Sequence, residues 1–342
     1  MKTLSALLMM VLCTGTFAHH SRIQYDMTVI REMSGEIVAV KWRNPHVMYT
    51  IRIDGPNGED ETWMLEAGSI YMLARTGITR NRVEIGDTVR VAGYASGRGD
   101  PEFYLTNVLL ADGQEIVMLP SASPYWSDDA VGGRDQWSNS AVTEVANGNE
   151  SQGIFRVWSR DEISSSTTGT DLSNLPLTEP ARERKEAFDP LRDDPALDCI
   201  SPGMPRSMGG PHPIQFIDHG DEIEIQNAEF DIRRTVFLSG DAMRDPQDVS
   251  LSKQGYSRGV WKDDTLEVHT TRVNWPFFDG VGTPASTSTD MLERFTVSDD
   301  QKRLDYEIVV TDPVTFSEPV VMRRYWVDLG EPMEIYNCVA DP

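Results

Sequence analysis

The stretch "GDTVRVAGYASGRGDPEFYLTNVLLADGQEI", residues 86–116, decides the fold of the first third of the chain. Its opening part, "DTVRVAGYAS", alternates apolar and polar residues with the period of two that a half-buried strand requires. "GRGDPE" then gathers the glycine, aspartate and proline of a turn, and "FYLTNVLLA" resumes an extended apolar run. A second turn at Asp112-Gly113 leads into "QEIVML". Extended runs punctuated by tight turns read as a β meander.

The same pattern continues on the N-terminal side. "GEIVAVKW", "VMYTIRID" and "ETWMLEA" are three further extended runs, the last two separated by the turn residues of "GPNGED". Between them and the opening stretch, "GSIYMLARTGI" has helical spacing at Ile70, Leu73 and Ala74, with Gly77 at its end. Five short strands with one short helix in the middle predict an OB-like small barrel for residues 19–120.

Residues 121–187 change character to a Ser-, Asn- and Gly-rich linker. They hold one apolar island, "GIFRVWS", and a short helical run, "EPARERKEAF". From residue 188 to 342, eight extended runs from "PIQFIDHG" to "VVMRRYWVD" follow one another. They predict an antiparallel eight-stranded, lipocalin-like barrel or a strongly curved sheet. The chain is therefore expected to be all-β, with no repeat relating its two halves.

The first residues, "MKTLSALLMMVLCTGTFA", carry one lysine, an apolar run and small residues, the pattern of a secretory signal peptide cleaved after Ala18. No later stretch approaches the roughly 18 apolar residues of a membrane-spanning helix. A periplasmic or secreted protein is expected. The formal charge of −23 excludes general affinity for nucleic acid, which needs clustered Lys and Arg. Oligomeric state is not legible. Removal of the signal leaves two cysteines, Cys199 and Cys338, and in an oxidising compartment these read as a disulfide. The loop it closes, about 140 residues, is worth about 4–5 kcal/mol in the chain-entropy account.

Cleavage after Ala18 makes His19 the new N-terminus, offering an amine and an imidazole to one ion. A second imidazole completes an all-nitrogen site suited to copper. The expected third donor is His46 in "KWRNPHVMY", with His20 as its rival and Asp26 or Tyr25 in a weak further position. The opposing reading is a chance cleavage site and a histidine that merely caps a strand.

The elements His19-His20-Ser21, Asp26 and Asn44-Pro45-His46 resemble a broad uncharacterised family of secreted bacterial proteins. Members begin "HHS" after processing and carry "NPH" on the first long strand. That resemblance covers about the first hundred mature residues and brings no activity with it. The arrangement it implies also resembles the histidine brace of copper oxygenases and copper-carrying periplasmic proteins, on an unrelated fold. The opening stretch is similar to the closing strands of small bacterial periplasmic OB-fold proteins, which implies fold and not function. The second half, through "GMPR", "GYSRGVWKDDTLEV" and "ERFTV", resembles a second domain of unknown function.

That half also carries a polar constellation: Arg206, Arg233, Arg234, Tyr256, His269, Glu293 and Arg294. On a strand, one member of each Arg-Arg or Glu-Arg pair must face inward. An inward arginine needs a carboxylate or an anionic ligand. Cross-strand ion pairs and core packing would account for the same residues equally.

No serine elbow, zinc-binding His-Glu-x-x-His, phosphate loop or dinucleotide fingerprint is present. The first reading is an exported, non-catalytic binding protein for a small, anionic ligand, with copper as the candidate metal at its N-terminus. Two alternatives stand beside it. One is a secreted enzyme, either a copper-dependent oxidase or a lyase or isomerase working in the second barrel. The other is a structural or interaction module of the cell envelope.

Overall fold

The computed structural model describes residues 24–55, 58–133, 153–160, 172–190, 192–239, 243–328, 330, 332–333 and 335–339. The first β structure is built from β1 (Arg31–Lys41), β2 (Met48–Asp54), β3 (Asp60–Glu66), β4 (Thr88–Ala95) and β5 (Glu102–Leu110). β1 pairs through its first half with β4 and through its second half with β2. β3 runs parallel to β5, so the circuit β1-β2-β3-β5-β4 returns to β1 and closes a five-stranded barrel of OB type. β1 must bend to serve two neighbours, and Gly35 sits at the bend. A Cβ there would lie 2.0 Å from the carbonyl oxygen of Arg52, a distance no side chain tolerates.

Alternate residues point inward, and Ile37, Tyr49, Ile51, Leu65, Val91 and Phe103 fill the barrel. A short helix, α1 (Ile70–Arg75), connects β3 to β4. Ser69 caps it by accepting a hydrogen bond from the Met72 amide, and Tyr71 and Leu73 are buried beneath it. Beyond the barrel, β6 (Glu115–Val117) and β7 (Ala130–Gly132) extend the sheet from β5. The carboxylate of Glu115 is fully buried and accepts from Asn107 Nδ2 and from the amides of Tyr125, Trp126 and Ser127. Four donors offset the desolvation of one charge, and they tie the start of the connecting segment to the barrel.

The second β structure contains all eight runs read from the sequence. They are β9 (Ile214–Asp218), β10 (Glu222–Asn227), β11 (Ile232–Phe237), β12 (Tyr256–Lys262), β13 (Thr265–Thr271), β14 (Asp290–Val297), β15 (Arg303–Thr311) and β16 (Val320–Val327). A ninth strand, β8 (Val157–Trp158), comes from the apolar island in the linker and pairs with β9. Ser159 and Val327 then exchange backbone hydrogen bonds of 2.9 and 2.8 Å, so the nine-stranded wall nearly closes. Two residues of strand are too short to carry a periodicity, which is why the sequence pattern gives eight. Trp158 has no exposed surface, and an indole buries on the order of 200 Å², enough to hold so short a strand.

Every neighbour in this wall is antiparallel except β11 and β12, which meet in parallel over two residue pairs. The connection from 238 to 255 is long enough to return the chain to the same end of the sheet before β12 begins. The interior is a packed core of Trp158, Phe216, Phe295, Tyr306 and Trp326. Cys199 and Cys338 form the expected disulfide, with Cα atoms 5.7 Å apart. Among the described residues no helix is long and apolar enough to cross a membrane.

Candidate functional site at the junction of the two barrels

The polar residues that meet without being part of either core lie where the end of the first barrel faces the second. Glu66 is the last residue of β3, opposite Met48 on β2 and Tyr104 on β5. Its carboxylate is almost fully buried and takes two partners. One oxygen accepts from the Tyr25 hydroxyl at 2.8 Å. The other lies 3.1 Å from Nδ1 of His46, an ion-pair contact somewhat off hydrogen-bond geometry. His46 itself is 39% exposed.

Tyr25 is fixed independently. Its ring stacks on Tyr104 at 5.4 Å, the Asp26 amide donates to Ala95, and the Gly97 amide donates to the carbonyl of Gln24. Burial, and then the charge of Glu66, hold the Tyr25 phenol well above its usual range, so it acts here as a donor. Glu102, near the same carboxylate, is also raised, first by burial and then by Asp100 and Glu66. Negative charge is thus concentrated at this end of the barrel beside one imidazole.

The second barrel contributes His212. Its ring is 4% exposed and lies between Tyr71 of α1, at 5.2 Å, and Tyr336, at 5.1 Å. Burial, followed by the nearby charge of His46, pulls His212 down to about 3, so at neutral pH it is an uncharged ring in an aromatic slot. The loop that carries it is gripped from behind. Arg160, buried over the ring of Trp326, donates to the carbonyls of Gly209 and Gly210. At Gly210 a Cβ would lie 1.6 Å from a carboxylate oxygen of Glu229, so any larger residue there would displace that side chain. Arg75 of α1 crosses the junction to the carbonyl of Arg160.

Asn44 completes the join. Its Nδ2 donates to the carbonyl of Tyr336 at 2.6 Å, and its Oδ1 accepts from the Ile70 amide at the start of α1. The "NPH" motif therefore does two things two residues apart: Asn44 locks the barrels together and His46 points its imidazole at Glu66.

His19 and His20 lie outside the described residues. Among the described residues, no group of three or more His, Cys, Asp or Glu side chains is arranged to hold a metal ion. His46 and Glu66 are two such groups together, so a third donor would have to come from elsewhere.

The polar constellation of the second half does not converge on one cavity. Arg234 and Glu293 face inward and pair in the core at 3.1 Å; Glu293 also accepts from Thr270 and from the Tyr306 hydroxyl at 2.9 Å. Arg206 is held by both oxygens of Asp194. Arg233 pairs with Glu224, Arg294 with Glu267 and Glu307, and His269 with Asp290, all on the outer face. Tyr256 is buried on that outer side, bonded to the backbone of Arg244. Two shallow concavities mark this half, about 170 Å³ beside Asp231 and Ile335 and about 320 Å³ over Arg294, Glu307 and Arg323.

Sequence reasoning passed over Glu66 and His212. Glu66 reads as an ordinary polar position in an alternating strand. His212 stands in "GGPHPIQF", where prolines on both sides of a histidine just before a strand were the available signal.

The fold and this junction define an OB-type barrel docked on a nine-stranded β-barrel, with a histidine–carboxylate pair at the contact. Residues 7–102, which contain Tyr25, His46 and Glu66, match the model of a family described as a family of unknown function, DUF6152. No curated protein matches the chain.

Proposed function

We propose that this is an exported, non-catalytic binding protein whose small ligand is a copper ion, taken by His46 together with the processed N-terminal residue His19. The observation that carries this reading is the chain of contacts Tyr25–Glu66–His46. The buried Glu66 carboxylate lies 3.1 Å from Nδ1, which leaves Nε2 as the ring nitrogen turned away from it. Such carboxylate–imidazole pairs orient metal-ligating histidines and raise their basicity. Glu66 and Glu102 add negative charge that favours a cation.

Chain length supports the partnership with His19. The carbonyl of Gln24 is fixed on the barrel by Gly97. Four residues lie between it and His19, and the five steps from one to the other span at most about 18 Å. After cleavage behind Ala18, the free amine and imidazole of His19 are the donors this reading adds to His46. Nitrogen donors of this kind favour copper over magnesium or calcium. The arginines lend nothing to an anionic ligand, because Arg206, Arg233, Arg234 and Arg294 each hold a carboxylate of the protein.

Copper(II) titration of the processed protein tests the reading. Tight one-to-one binding is expected, lost in His46→Ala and lost again when one residue is left ahead of His19. Loss in the first variant alone would leave a side-chain site without the terminal amine. Unchanged binding in both would overturn the proposal.

A further inference from the structure

The disulfide does not close the second barrel. Cys199 precedes β9 and Cys338 follows β16, so neither sits on a strand, and the wall closes through Ser159 and Val327 without them. What the disulfide holds is the C-terminal segment 335–339, which lies across the junction. Tyr336 packs its ring on His212 and on Phe230, at 5.1 and 4.9 Å. Its carbonyl takes the Asn44 side chain, and the Val339 amide returns to the Asn44 carbonyl. Asp231 accepts from the amides of Tyr336 and Asn337. Cys338 itself bridges to Asn44 in parallel β fashion. Both cysteines are half-buried, within reach of a thiol in solution.

We propose that the Cys199–Cys338 bond is a reducible clasp on the junction: closed, it presses the C-terminal segment onto Asn44 and His212; opened by a dithiol, it frees that segment and loosens the setting of His46. In the opening step a thiolate of the dithiol attacks one sulfur and the Cys199–Cys338 bond breaks. The displaced cysteine takes a proton, and the second thiol of the reductant then resolves the mixed disulfide. The chain gains two electrons and two protons, and the dithiol leaves as a disulfide. The release of the segment needs no metal; only its effect on His46 rests on the copper-binding reading. The connection runs through two residues, because Asn44 is held by the segment and His46 follows it by two.

Amide hydrogen exchange on the processed full chain, oxidised and after dithiothreitol, tests the clasp. Reduction should speed exchange at Val339, Asn337, Tyr336 and Ile70 by at least about tenfold, while amides of β13–β15 stay protected. Reoxidation should restore the protection, and the Cys199→Ser, Cys338→Ser double variant should match the reduced protein. Unchanged exchange at the junction would overturn the proposal, since the segment would then hold without the bond. So would loss of protection throughout the second barrel, which would make the bond a staple of the fold. Copper(II) titration of the double variant reads the second half of the claim. Weaker binding than in the oxidised protein supports it, and equal binding with a released segment refutes it. No binding in either form sinks the copper reading alone and leaves exchange to decide the clasp.

Discussion

Acid should loosen this protein through His212. The ring is 4% exposed, and burial with the charge of His46 brings it down to about 3, against 6.5 for a free histidine. Above pH 6.5 the ring is neutral whether the chain is folded or not, and it leaves stability untouched. Below 6.5 the unfolded chain binds a proton that the folded one refuses, so stability falls with pH until the folded ring is itself protonated near 3. At pH 5 the loss from this group is about 2 kcal/mol, at 1.4 kcal/mol per unit. The assay is urea unfolding of the metal-free protein at pH 7, 6 and 5, followed by tryptophan fluorescence, beside His212→Phe. Phenylalanine fits the slot between Tyr71 and Tyr336 and cannot titrate. The difference in stability between the two proteins should shift against the wild type by about 2 kcal/mol from pH 7 to pH 5. Parallel pH profiles would refute the reasoning and mean that a protonated His212 is accommodated at the junction.

Three further outcomes follow from the geometry. Glu293→Ala should destabilise the second barrel by about 3–5 kcal/mol, because Arg234 would be left as a buried unpaired charge, while Arg233→Ala on the outer face should cost less than about 1 kcal/mol; both are read by denaturant unfolding. Gly35→Ala should destabilise the first barrel by at least about 2 kcal/mol, since its Cβ has no room beside Arg52, and thermal unfolding followed by circular dichroism checks it. Glu66→Gln should keep the fold yet weaken copper binding by about 10- to 100-fold, as expected when the outer partner of a ligating imidazole loses its charge; unchanged affinity in a titration would free His46 from any dependence on Glu66.

The strands were legible wherever a face was buried. The period of two in "TLEVHTT" follows from one side of the wall meeting a core, so β13 could be read residue by residue, whereas β4 keeps the period only as far as Val91 and loses it at the irregularity between Ala92 and Gly93. What the pattern could not carry was closure. β8 is two residues long, and the parallel contact of β11 with β12 depends on where an 18-residue connection turns. The disulfide was legible from composition, because Cys199 and Cys338 are the two cysteines that follow Cys13 of the N-terminal apolar run.

The polar residues of the second half were legible only as types. Alternation does require that Arg233 and Arg234 face opposite ways, and they do, but it cannot say which carboxylate meets each. The junction was largely hidden for a physical reason. Glu66, His212 and Tyr336 come from segments far apart in the chain, and their meaning lies in contacts that no local periodicity records. His46 was accessible to reading because its proline fixes the backbone beside it. Glu66, whose carboxylate lies against that histidine, was not.

The most direct measurement is anomalous diffraction at the copper edge from crystals of the processed, copper-loaded protein. A single peak about 2.0–2.1 Å from Nε2 of His46, with His19 as the second imidazole and Glu66 still on Nδ1, is the predicted result. A copper peak away from His46, or none at full loading, would contradict it.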